Sequence, residues 1–77
     1  MRFTTGETYK LSFRDDRGHM IVWPTGVFSS AQTGVKLHQG DVILVTDQHP
    51  DTYDFLHKGK LYWTTWHMMR VATFQKV

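Results

Sequence analysis

Three apolar segments in the second half of the chain follow one another with only short polar breaks: Val42-Ile43-Leu44-Val45, Tyr53-Asp54-Phe55-Leu56-His57 and Leu61-Tyr62-Trp63-Thr64-Thr65-Trp66. Each has the length of a strand and is rich in β-branched or aromatic residues, with no helical spacing of its apolar positions. Lys58-Gly59-Lys60 separates the last two so tightly that they must form a hairpin, with Gly59 free to take the positive φ such a turn requires. A chain of 77 residues built this way has room for one compact barrel or sandwich and no second folded unit. The expected fold is all-β, a single small domain over residues 1–77.

The first half extends the pattern. Tyr9-Lys10-Leu11-Ser12-Phe13-Arg14 alternates with period two, which points Tyr9, Leu11 and Phe13 into a core and Lys10, Ser12 and Arg14 away from it. Asp15-Asp16-Arg17-Gly18 supplies turn chemistry, and His19 to Trp23 reads as the returning strand, stopped by Pro24. Thr25 to Gly34 has neither period and reads as one long surface loop, in which Val27 or Phe28 is a candidate to pin it to the core. Val42 to Val45 is apolar without interruption, as in a central strand covered on both faces. His67 to Arg70 has room for one helical turn, and Val71 to Gln75 for a last short strand. There is no cysteine, so neither a disulfide nor a thiolate metal site holds the fold, and aromatic packing has to do so.

In order and spacing, Leu37-His38-Gln39-Gly40-Asp41 before the Val42 strand, Tyr53 to His57, the Lys58-Gly59-Lys60 turn and Leu61 to Trp66 resemble the SH3-like barrels, over roughly residues 35 to 77. The resemblance implies a barrel of five to six strands, with one long loop and a short 3₁₀ turn at His67 to Arg70 before the closing strand. It implies no particular activity. The Ala-Leu-Tyr-Asp-Tyr run and paired tryptophans of proline-peptide-binding SH3 domains are missing, as is the Val-Gln-Ile-Tyr segment of the small dihydrofolate reductases of this class.

Catalysis finds no constellation of residues to support it. Ser12, Ser29 and Ser30 lie in no nucleophile elbow, and the histidines are scattered. His49 with Asp51, or His57 with His67 across the hairpin, match no recognised metal-ligand spacing, so no metal and no cofactor is expected. The chain reads as a non-enzyme.

The candidate binding residues cluster around the last hairpin: His57, Lys58, Lys60, Tyr62, Trp66, His67 and Arg70. Lys10 and Arg14, with Arg17, form a second basic group on the first hairpin. Exposed rings beside cations suit either of two partners. Tryptophan and tyrosine in polar surroundings anchor protein interfaces, while lysine, arginine and stacking rings together hold nucleic acid. The formal charge of +2 is too small to choose, but interspersed Asp15, Asp16, Asp47, Asp51 and Asp54 favour a mixed-charge protein interface. The reading is therefore a small regulatory protein, complete in itself, that engages and modulates a larger protein partner. A nucleic-acid-binding barrel is the alternative. Pairing of open edges makes a homodimer a further expectation. The N-terminus has no apolar run of signal-peptide length and no segment has that of a membrane span, which makes the cytoplasm the expected compartment.

Overall fold

A computed structural model describes residues 3–14, 18–28 and 32–77. The turn expected at Asp15 to Gly18 and the centre of the Thr25 to Gly34 loop lie largely outside the described residues. The chain forms β1 (Thr8–Ser12), β2 (His19–Pro24), β3 (Val35–His38), β4 (Val42–Gln48), β5 (Thr52–His57) and β6 (Lys60–Thr65), then α1 (Trp66–Met69) and β7 (Thr73–Lys76). These strands make one curled antiparallel sheet in the order β3-β2-β6-β5-β4-β1-β7, a half-barrel.

Seven strands form among the described residues where five to six were expected. The additional one is β3, only four residues long and thus too short to show a period; it exists because it pairs with β2 from His19↔His38 to Val22↔Val35. The turn before the last strand is α-helical and begins at Trp66 rather than His67. Its cap decides this, since the Thr65 hydroxyl accepts from the Met68 backbone N–H at 3.3 Å and satisfies a donor the first turn leaves free.

The curl gives the sheet one packed face. Tyr9 and Leu11 of β1, Met20 and Val22 of β2, Leu37 of β3, Ile43 and Val45 of β4, and Tyr53 and Phe55 of β5 turn inward. The alternation expected of β1 is thus realised for Tyr9 and Leu11, with Phe13 half-buried against the core, and β5 alternates likewise, with His57 completing its buried face. Phe3 closes one end of the core, with its ring edge-on to Tyr9 and Tyr53 at 5.3 Å and to Phe74 at 4.8 Å. Such edge-to-face pairs add to simple area burial. β4 departs from expectation. Val42 is exposed and Leu44 half-buried, so this strand is covered on one face only.

On that outer side, Trp63 of β6 stands opposite Trp23 of β2, their rings 5.1 Å apart. The Trp63 indole N–H donates to the Val27 carbonyl at 2.9 Å, which ties down the start of the long loop. The loop is thus held through a backbone carbonyl, while the Phe28 side chain is 90% exposed and does not enter the core. The β5–β6 hairpin closes on Lys58 at φ 51° and Gly59 at φ 78°, a two-residue turn whose left-handed pair matches the twist of the strands it joins.

Candidate functional site

The site forms where β6 runs into α1. Thr65 caps the helix, and the Trp66 backbone N–H is held by the Asp51 carbonyl at 3.0 Å, so the β4–β5 turn fixes the first residue of the helix. One turn of helix then sorts its side chains: Met69 is buried, while Trp66, His67 and the following Arg70 remain exposed. The Arg70 guanidinium carbon lies 4.8 Å from the centre of the Trp66 ring, and the His67 ring meets Trp66 edge-on at 5.3 Å. A cation over an indole face is attracted by the ring quadrupole, and the contact holds Arg70 in place beside the opening.

Between these residues and the core lies a half-open groove of about 430 Å³, lined by Phe3, Tyr53, Trp66, Met69 and Arg70. That volume falls in the range of roughly 300–1,000 Å³ usual for binding pockets. Its lining is apolar or aromatic apart from the Tyr53 hydroxyl and the Arg70 fork. Such a cleft accepts an apolar side chain and offers one planar, bidentate cation to an acidic group beside it.

The structure divides the residues that the sequence grouped together. Trp66 and Arg70 line the groove, and His67 meets the Trp66 ring beside it. Lys58 and Lys60 sit at the far tip of the β5–β6 hairpin, with the six residues of β6, about 20 Å of extended chain, in between. Lys10 pairs with Val42, and Leu44 pairs with Leu56, which places Lys10 at that same far end; exposed Arg14 follows β1 there. Tyr62 belongs to neither end. It is 8% exposed, its ring stacked 6.1 Å from Phe55, because β6 turns Tyr62 and Thr64 inward. His57 is likewise interior, its Nδ1–H donating to the Val42 carbonyl at 2.9 Å. Arg17 lies outside the described residues.

Phe3, Tyr53 and Met69 were missed as site residues. Nothing in the local sequence marks them, since each reads as core; only closure of the sheet brings Phe3 from the N-terminus against α1.

Beside the groove, the β4–β5 turn is acidic. Asp47 and Asp54 face each other across the two strands, and His49 reaches both: its Nε2 is 3.1 Å from Asp54 Oδ2 and 3.6 Å from Asp47 Oδ2. The hydrogen bond to Asp54, followed by the charges of both carboxylates, raises the His49 pKa above its ordinary value. The sequence sets Asp51 two residues after His49, a spacing that matches no metal-ligand motif. Asp51 uses its carbonyl to hold Trp66. The Asp-x-His of residues 47–49 was the available signal, and the strand register supplies Asp54 to it.

Comparison with known proteins finds no matching family model, no matching curated protein and no matching solved structure. No helix among the described residues is long and apolar enough to cross a membrane.

Proposed function

We propose that this chain is a non-enzymatic protein-binding domain that grips a short segment of a larger partner in the groove of Phe3, Tyr53, Trp66, Met69 and Arg70. The observation that carries the reading is the pairing of a 41% exposed tryptophan with an arginine stacked over it, beside a cleft of side-chain size. An apolar side chain of the partner would displace water from Trp66 and Met69, and a neighbouring carboxylate would pair with Arg70. Aromatic and arginine anchors of this kind dominate interface energies. Asp47, Asp51 and Asp54 at the adjoining turn repel a phosphate backbone there, which favours protein over nucleic acid at this end.

An SH3-like barrel remains our reading of the finer architecture. The run β7-β1-β4-β5-β6, with the β2–β3 hairpin inserted between β1 and β4 and a helical turn before β7, supports it. The second functional reading, nucleic-acid binding, draws on the gathering of Lys10, Arg14, Lys58 and Lys60 at the far end. Exposed Phe28 lies on the loop that leaves β2 beside Leu61 at this end, but among the described residues none of these cations stands over a ring as Arg70 stands over Trp66.

Affinity capture in the presence of nuclease separates the two. Capture of a specific protein should persist, and with that protein purified, Trp66→Ala should lower affinity by about tenfold or more, as for an interface anchor. Lys58→Ala with Lys60→Ala should leave it within about twofold, as rim charges do. Loss of all capture with nuclease, or greater sensitivity to the lysines than to Trp66, overturns the protein-binding reading.

A further inference from the structure

We infer that Asp47, His49 and Asp54 form a binding site for a divalent transition-metal cation of the zinc class at the β4–β5 turn. The inference is independent of what occupies the groove. Three donor atoms of two chemical types converge there: His49 Nε2 stands 3.1 Å from Asp54 Oδ2 and 3.6 Å from Asp47 Oδ2, and the ligand atoms all lie within 4.8 Å of one another. Bonds of about 2.0–2.2 Å to a common zinc ion set its nitrogen and oxygen ligands roughly 3–3.5 Å apart. The His49–Asp54 contact of 3.1 Å falls within that spacing and the His49–Asp47 contact of 3.6 Å lies just outside it.

The local energetics ask for a cation. Asp47 and Asp54 are register partners on neighbouring strands, and like charges placed opposite one another destabilise a sheet. Among the described residues neither carboxylate has an ion pair with lysine or arginine; His49 is the group that reaches them. The backbone orients the donors as well. The Gln48 N–H donates to Asp47 Oδ1 at 2.9 Å, leaving Oδ2 for the shared position, and the pairing between β4 and β5 shifts register at this point, which re-aims Asp47. The His49 N–H donates to the Thr52 carbonyl at 2.9 Å and sets the turn that carries the ring.

The ligand set selects the class of ion. An imidazole nitrogen beside two carboxylates suits zinc and its first-row neighbours, whereas calcium and magnesium take all-oxygen shells. Three protein ligands leave coordination positions to solvent, and the exposed turn gives the ion a direct path in.

Titration of the chelator-treated full chain with zinc chloride at pH 7.5, followed by calorimetry and by amide resonances, tests the site. Saturable one-to-one binding is expected, with resonance changes centred on residues 46–54. His49→Ala and Asp47→Asn should each weaken it about tenfold or more, since loss of even an outer-shell partner commonly costs that much. Asp47→Asn is the sharper variant, because it keeps the His49–Asp54 hydrogen bond while removing one ligand. His67→Ala is the control and should bind zinc as the parent chain does; circular dichroism checks that every variant is folded. Absence of saturable binding up to millimolar zinc overturns the site. So does undiminished binding by folded Asp47→Asn or His49→Ala, or a loss in His67→Ala equal to theirs.

Discussion

The two ends of the curled sheet carry exposed charge in different company. At the α1 end, Trp66 and Arg70 stand over a cleft that reaches the core, and a turn with three aspartates adjoins them. At the hairpin end, Lys10, Lys58 and Lys60 share the outer surface with aliphatic Val42 and Leu61, which are about half exposed, and among the described residues no cation there is stacked on a ring. Charge without a cleft steers partners and keeps an edge soluble; charge beside a desolvated aromatic cleft can discriminate between them. Basic residues of similar appearance in the sequence therefore have different uses, set by what the fold places next to them.

Both ends depend on one core, and the largest effect comes from breaking it. Phe55 is fully buried against Tyr62 in the central β5 strand, so Phe55→Ala should cost about 3–5 kcal/mol in urea or thermal unfolding. Roughly 4–12 kcal/mol is the whole stability expected of a domain this size. The ends should fail together; separate transitions reported by amide exchange at α1 and at the hairpin would mean that the sheet is not one cooperative unit. Trp66→Ala sharpens the contrast. With its ring 41% exposed, it should cost no more than about 1 kcal/mol of stability while lowering partner affinity at least about tenfold. A similar loss of stability and of binding would mark Trp66 as a packing residue. Gly59→Ala probes the other end: with φ at 78°, any Cβ is strained there, so unfolding should become easier by about 1 kcal/mol with groove affinity unchanged.

How much of this was legible depends on the range of the interactions. Alternation in Tyr9 to Phe13 revealed a strand and its inward face, and the apolar and aromatic run Tyr53 to His57 a second strand, because such patterns are local. The hairpin was legible because Lys58-Gly59 leaves few backbone choices. The strand β3 was not, since four residues carry no period and its reason to be extended lies in β2. Tyr62 was misplaced for a related cause: alternation separates two faces but does not say which one the sheet curls over. The candidate site was half legible. Trp66, His67 and Arg70 are neighbours in sequence and in space, whereas Phe3 and Tyr53 join them only through closure, and the lysines leave them because a hairpin's tip and base lie a strand's length apart. Asp47, His49 and Asp54 meet for the same reason that Lys60 and Trp66 part, the antiparallel register of β4, β5 and β6.

The smallest expected effect concerns the acidic turn beside the groove, and its sign follows from His49. The folded-state pKa of His49 is raised, chiefly by its hydrogen bond to Asp54, above an unfolded value of about 6.5. The charged ring therefore contributes its full stabilisation below about pH 6.5 and loses it as the pH rises through the higher folded value. In chelator-treated protein, the melting temperature of the parent chain should fall modestly between pH 6 and pH 8. Asp54→Asn should flatten that slope by removing the main cause of the shift, whereas Lys58→Ala, at the opposite end, should leave it unchanged. The effect is small because the ring is solvated, and exposed pairs are weak and screened by salt. A slope that survives Asp54→Asn would assign the titration to another histidine, and one that responds equally to Lys58→Ala would mean that the two ends share a single electrostatic field.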